Sequence, residues 1–496
     1  MKRREFVTLG CAALAQASLQ AHAGKLLPGQ TPAQAQMQMP AAQSTQPAGS
    51  TAADNTKADF TLQIEPVVLE LAPSRAISTI GYNGGSPGPL LRVREGATVT
   101  VDVVNQTDVP ELVHWHGLFV PSDVDGAEEE GTPMVPPHGR KRYQFEARPA
   151  GTRWYHTHTM AMADLHRGSY TGQYGFLYIE PKQDPGRYDQ EVFLALRDWE
   201  PFFADEVEDP DEILDAGPQP EKPPTPDMRL NGLEVGSRIS SINDKMLGGG
   251  DPIRVKAGQR VFFHLLNASA IENRRIAIAG HRFQVVAMDG NPVPTPQSVE
   301  VLLIGPGERI DAFVDMNRPG VWTLGATMDE DRNAGMGVVI EYENQKGQPQ
   351  WIAPAKTGWD YTIFGKAVSR PMPDHTFEMV FEKNPRADGG KFNQWMVNGK
   401  AYPHEQEFVL QQGARYRLNF RNKSDDAHPV HLHRHLFEIV DINGKATGGI
   451  MKDTVVMPVY GRVNVDLVAD QPGLTLFHCH IQQHMDYGFK ALFRYS

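Results

Sequence analysis

The sequence predicts an all-β chain built from three consecutive antiparallel sandwiches. Three observations predict it. Short runs alternate apolar and polar residues, as in Thr98-Val99-Thr100-Val101-Asp102-Val103-Val104, the two-residue period of a half-buried strand. Turn pairs separate such runs at Asn83-Gly84, Asp289-Gly290, Asn398-Gly399 and Asn443-Gly444. The 496 residues include 46 Gly and 38 Pro, about one residue in six where ordinary usage is about one in eight. At roughly 150 residues per domain, the length suits about three domains.

In chain order, residues 1–23 read as an export leader. Arg3-Arg4-Glu5-Phe6 precedes an apolar stretch, and Ala21-His22-Ala23 is an A-x-A cleavage site. The arrangement resembles a twin-arginine signal, so we expect a periplasmic or secreted protein. Cleavage would remove three positive charges and one negative, moving the formal charge from −12 to −14. It would also remove Cys11 and leave Cys479 as the only cysteine, so no internal disulfide is expected. Residues 24–58, rich in Ala, Gln, Pro, Ser and Thr, read as a flexible linker. The first domain is expected over 59–182, the second over 187–345 and the third over 352–496. Further strand-like runs lie at Val192–Leu196, Val261–Leu266, Val299–Ile304, Arg415–Phe420 and Val463–Val468. Asp198–Glu221 holds ten acidic residues and no basic one; we expect a solvated, mobile loop there. The negative charge excludes a nucleic-acid partner. No 20-residue apolar run marks a membrane anchor, and a monomer is expected.

The chemistry is carried by histidine. Ten of the 18 His fall in four clusters: His114-Trp115-His116, His156-Thr157-His158, His428-Pro429-Val430-His431-Leu432-His433, and His478-Cys479-His480 with His484. One H-x-H arises by chance; four, one of them enclosing the remaining cysteine, point to metal. Imidazole suits copper, zinc, iron or nickel, and thiolate adds a preference for softer ions. Side chains alternate faces along a strand, so His478 and His480 point one way and Cys479 the other. His431 and His433 share a parity that His428 lacks. His428, Cys479 and His484 can therefore form a His₂Cys site of the blue-copper kind. The other eight, His114, His116, His156, His158, His431, His433, His478 and His480, suit a cluster of about three ions. Their origin at both chain ends places it between the first and third domains.

These four clusters, in this order, resemble the multicopper oxidase family, and the resemblance covers essentially the whole chain after residue 23. It implies cupredoxin-like Greek-key domains and four copper ions: one type 1, one type 2 and two type 3. It implies type 1 ligands at His428, Cys479 and His484, type 2 ligands at His114 and His431, and type 3 ligands at the remaining six histidines. O₂ would be reduced to water with electrons from a small reductant. Gly305-Pro306-Gly307-Glu308-Arg309 also looks like the family's second domain, which should bind no catalytic copper. Asp125 matches the family's Asp near the type 2 copper, a proton relay or water holder. The type 1 axial position falls at Phe489, which supplies no donor atom, so a high potential is expected. Met485 stands where bacterial relatives often carry a proton-delivering Glu, and Asp486 is the candidate replacement. His435 is read as a hydrogen-bonding residue. Met160 and Met162 are read as packing or surface residues. Phenols or aromatic amines are the expected reductants, as in laccases. The alternative is a metallo-oxidase acting on Cu(I), Fe(II) or Mn(II); a remote one is a non-catalytic scaffold or copper store.

Overall fold

A computed structural model describes residues 57–183, 186–205, 232–355, 358–367, 369–386, 389–404 and 407–496. The expected leader, nearly all of the linker and residues 206–221 of the acidic segment lie outside the described residues. The fold class is all-β. Two four-stranded sheets lie between Phe60 and Glu180, sheets of six and five strands between Gln190 and Tyr342, and sheets of seven and five between His375 and Tyr495. In the first pair, Leu62, Val101 and Val103 of one sheet meet Leu91, Tyr155 and Leu177 of the other in one buried cluster. A second cluster runs without a break through the other two pairs.

The predicted runs form strands. Thr98–Asn105, Arg260–Asn267, Arg415–Asn422 and Arg462–Val468 contain four of them. The run expected at Val299–Ile304 is divided between Asn291–Val299 and Val301–Ile304. The turn pairs adopt left-handed backbone at both residues, for example φ 51° and 80° at Asn83-Gly84 and 54° and 71° at Asn398-Gly399. That is the primed geometry that matches strand twist, and Asn and Gly adopt it at low cost.

The sheets are not purely antiparallel. Each region opens with a strand paired in parallel: Phe60–Ile64 beside Val101–Asn105, Gln190–Leu196 beside Val261–Asn267, and His375–Phe381 beside Tyr416–Asn422. A chain that crosses to the opposite sheet and returns can lie beside its starting strand in the same direction. A shared side-chain device marks the repeat. Asn83, Asn243 and Asn398 each accept from one backbone N–H of this opening strand and donate to a carbonyl two residues earlier.

The acidic segment is corrected over its first part. Residues 198–205 belong to the strand Gln190–Asp205. Asp198 is buried, accepts from Ser240 at 2.9 Å and pairs with Arg274 at 2.5 Å. Burial works against its charge, yet Arg274 and the hydroxyls hold the carboxyl below its ordinary value. Glu200 pairs with Arg75 at 2.8 Å. Basic partners distant in sequence fold this stretch into the sheet.

Candidate metal centres

Two strand pairs bring the histidines together. His114–His116 pairs antiparallel with Gly151–His156, setting His114 opposite His156. His428–Leu432 pairs with Thr475–Cys479, setting His431 opposite His478 and Val430 opposite Cys479. Odd and even positions therefore face different sites, as the alternation predicts.

His428, Cys479 and His484 converge. Sγ of Cys479 lies 3.7 Å from Nδ1 of His428 and 3.6 Å from Nδ1 of His484, and the two nitrogens are 3.1 Å apart. Nε2 of His428 bonds to the Ser424 hydroxyl at 2.7 Å, which leaves Nδ1 facing the sulfur. The walls are aromatic. The Phe489 ring centroid is 5.0 Å from that of His428, and the Trp395 ring lies 4.1 Å from that of His484. Burial pushes the Cys479 thiol well up, so a cation is needed to hold the thiolate there.

The other eight histidines, all buried, form overlapping groups. His116, His156 and His480 make one and His158, His433 and His478 another. His114 and His431 join a third group with His116. Within each group, one atom per residue lies within 4.8 Å of the others. In the second group, Nε2 of His478 is 3.0 Å from Nε2 of His433 and 3.4 Å from Nε2 of His158.

The outward nitrogens of six rings are fixed. Nδ1 of His114, His156, His431 and His478 donates to the carbonyls of Asp125, Thr157, Asp453 and Cys479 at 2.8–2.9 Å. Nδ1 of His433 donates to the Asp125 carboxylate at 2.7 Å, which also lies 3.1 Å from Nδ1 of His114. His116 is reversed: its Nε2 faces the Asp453 carboxylate at 3.1 Å. The opposite nitrogens of His114, His116, His156 and His431, together with Nε2 of His480 and Nδ1 of His158, are buried with no hydrogen-bond partner among the described residues. Burial, then neighbouring imidazoles or Arg309, pushes His116, His156, His433 and His480 well below the usual imidazole range. Neutral rings with unpartnered inward nitrogens are what a soft or borderline cation requires. The residues present thus fit copper.

Other candidates are placed as follows. Asp125 is buried in the helix Ser122–Asp125, against His433 and His114. Burial, then Asp125, pushes the neighbouring Glu130 carboxyl well up. The Asp486 carboxylate accepts from the backbone N–H of Ala161 and Met162 and from Gln482, and so pins the loop beyond His158. Burial pushes it up to about 6. His435 bonds to the Tyr495 hydroxyl at 2.6 Å and to the His433 carbonyl at 3.1 Å, as a hydrogen-bonding residue should. Met160 and Met162 are 39% and 42% exposed, surface rather than core residues. His264 and His281 bind Asp311 and Tyr342 respectively. Sequence reasoning missed Glu234, whose carboxylate lies 3.6 Å from Nε2 of His484. It also missed Trp395 and Asp453. None of the three carries a local signal, because each acts on a histidine far away in sequence.

An all-β fold with an eight-histidine site and a His₂Cys site defines a copper oxidase. Multicopper oxidase family models match residues 64–184, 191–345 and 374–496. The chain belongs to the multicopper oxidase family and is an oxidoreductase that uses copper, O₂ and a reductant. It is similar to multicopper oxidase MmcO of Mycobacterium tuberculosis, 29% identical over 88% of this chain and 86% of that protein. It shares its fold with Fet3p, a multicopper oxidase that functions in iron import (TM-score 0.71, 18% identity, 88% and 90% covered). It also shares it with the laccase of Botrytis aclada (TM-score 0.69, 20% identity, 88% and 87% covered). Among the described residues no helix is long and apolar enough to cross a membrane.

Proposed function

We propose that this chain is an exported, monomeric, laccase-like oxidase that takes single electrons from phenols or aromatic amines and reduces O₂ to water. One type 1 copper would be held by His428, Cys479 and His484. A type 2 copper would be held by His114 and His431. Two type 3 coppers would be held by His116, His156 and His480, and by His158, His433 and His478. Bound copper supplies one-electron acceptance at the first site and four-electron reduction of O₂ at the second.

The observation that carries this reading is the single strand end His478-Cys479-His480. Its cysteine faces one site and its two histidines the other, so few covalent bonds separate them. Cys479 lies among apolar and aromatic side chains, which exclude water from the thiolate. Phe489, packed against His428, offers no donor atom, which would favour the reduced state of a copper held there. His484 turns its second nitrogen toward the buried Glu234, whose other oxygen accepts from Asn393 at 2.9 Å. A reductant beside His484 meets a carboxylate that can take a phenolic proton as an electron leaves. At the other site, Asp125 orients His433 and His114, and the buried Glu130 beside it, whose carboxyl burial pushes well up, holds a proton close to the histidines.

Glu234 also favours a second reading, in which a metal ion is the reductant, since carboxylate oxygen suits Fe(II) or Mn(II). Aerobic kcat/KM for a phenol, Cu(I), Fe(II) and Mn(II) with wild type and Glu234→Gln separates the two. A laccase-like enzyme prefers the phenol and loses phenol kcat in the variant. A metallo-oxidase prefers one ion, and the variant raises KM for that ion alone.

A further inference from the structure

The second region supplies none of the ten histidines, yet its segment Gly305-Pro306-Gly307-Glu308-Arg309 reaches the eight-histidine site. Gly307 has φ 86°, and a Cβ there would come within 2.6 Å of the His480 ring. Arg309, fully buried, forms a two-pronged pair with Asp453: Nη1 to Oδ1 at 2.7 Å and Nη2 to Oδ2 at 2.6 Å. Its Nε donates to the Thr152 carbonyl at 3.2 Å, tying the pair to the first region as well. Asp289, also of the second region, accepts from the backbone N–H of Asp453 at 3.2 Å and of Thr454 at 3.1 Å. Gly117, next to His116, has φ 82°, and a Cβ there would meet Arg309 and Asp453 at 2.7 Å each.

Asp453 in turn grips two rings from different regions. Its carboxylate takes Nε2–H of His116 at 3.1 Å, and its carbonyl takes Nδ1–H of His431 at 2.8 Å. The Thr454 hydroxyl lies 3.3 Å from the first nitrogen and 3.2 Å from the second. The two rings stack at 3.7 Å, 14° from parallel. Opposite ring nitrogens are occupied, so Nδ1 of His116 and Nε2 of His431 are left for the metal.

We propose that Asp453, clamped by Arg309 and Asp289 of the second region, is the positioning residue that sets the tautomer and tilt of His116 and His431 together. The inference rests on the copper reading given above. An arginine fork on a fully buried carboxylate fixes both its charge and its plane, and such outer partners typically govern metal affinity 10–100-fold.

Copper-loaded wild type, Asp453→Asn and Thr454→Val would be titrated with a copper chelator, with metal content, the blue absorption band and EPR spectra followed. In Asp453→Asn, copper at the eight-histidine site should bind 10–100-fold more weakly and the type 2 EPR splitting should change, while the blue band stays. Thr454→Val, which leaves no charge unpaired, should show the same changes a few-fold in size. It decides the matter if Asp453→Asn does not fold. Wild-type affinity and EPR in the folded variants would overturn the clamp. Equal loss of copper from both sites would also overturn it, because Asp453 would then only hold the fold. Wild type that itself binds a single copper would instead sink the copper reading beneath it.

Discussion

The two candidate centres lean on different means of placing their ligands. His428, Cys479 and His484 come from one region and sit in an apolar pocket walled by Trp395 and Phe489. The eight-histidine site draws four rings from each end of the chain, and hydrogen bonds hold its ring orientation. Five Nδ1 atoms donate to backbone carbonyls or Asp125, while Asp453 takes Nε2 of His116. A site within one sandwich can place its ligands largely by packing, helped by the Ser424 hydroxyl on His428 and by Glu234 beside His484. A site between two sandwiches needs polar clamps, because neither core alone fixes the distance across it.

Substitutions that attack one centre and spare the other test this contrast. The largest effect is expected from Cys479→Ser. It should abolish the blue band and reductant oxidation, since only a thiolate gives that charge transfer and links the two sites. Copper at the eight-histidine site should remain, read by metal analysis. Next, Asp125→Asn keeps the shape but cannot carry a proton between the rings it touches. Stopped-flow bleaching by reductant should match wild type, while reoxidation by O₂ slows on the order of 10²-fold, the low end for loss of a general acid or base. Wild-type rates in both phases would leave Asp125 an orienting partner of the two rings with no part in proton delivery.

Phe489→Met adds a weak sulfur donor to the packed centre alone. The type 1 potential should fall, by about 59 mV for each tenfold gain in relative Cu(II) affinity, as redox titration would show. A potential unchanged or raised would remove Phe489 from the axial position.

The smallest effect concerns the frame of the clamped site. Glu111 is buried against the Thr157 hydroxyl, between two histidines of that site, and burial pushes its carboxyl up to about 7. The folded state therefore holds a proton that the unfolded chain releases near its ordinary value of 4.5. Stability from this group falls as pH rises from about 4.5 to about 7, by on the order of 3 kcal/mol. Glu111→Gln should raise Tm at pH 8 and leave it nearly unchanged at pH 4. A gain equal at both values would show that the carboxyl does not titrate in that range.

Much of the fold and of the site is legible in the sequence, for a physical reason. Strand alternation is local, so the parity of His431, His433, His478 and Cys479 already sorts them between two sites, and Asn-Gly pairs mark turns by their own backbone preference. What is not legible depends on partners distant in the chain. Arg274 and Arg75 turn the start of the acidic segment into a sheet strand. Parallel pairing of each opening strand leaves no mark on the apolar pattern. Glu234, Asp453 and Arg309 look like ordinary charged residues until the fold sets them beside a histidine. Asp486, suggested by its nearness to His484 in sequence, turns out to fasten a loop.

On the proposed reading, one strand end, His478-Cys479-His480, joins a single-copper centre to a three-copper centre. Metal analysis of the copper-loaded protein, with its absorption and EPR spectra, tests it most directly. Four coppers per chain are expected, with an intense blue band and EPR signals from one type 1 and one type 2 ion only, the type 3 pair being silent. A fully loaded protein that is colourless, or one that holds fewer than four coppers at saturation, would contradict it.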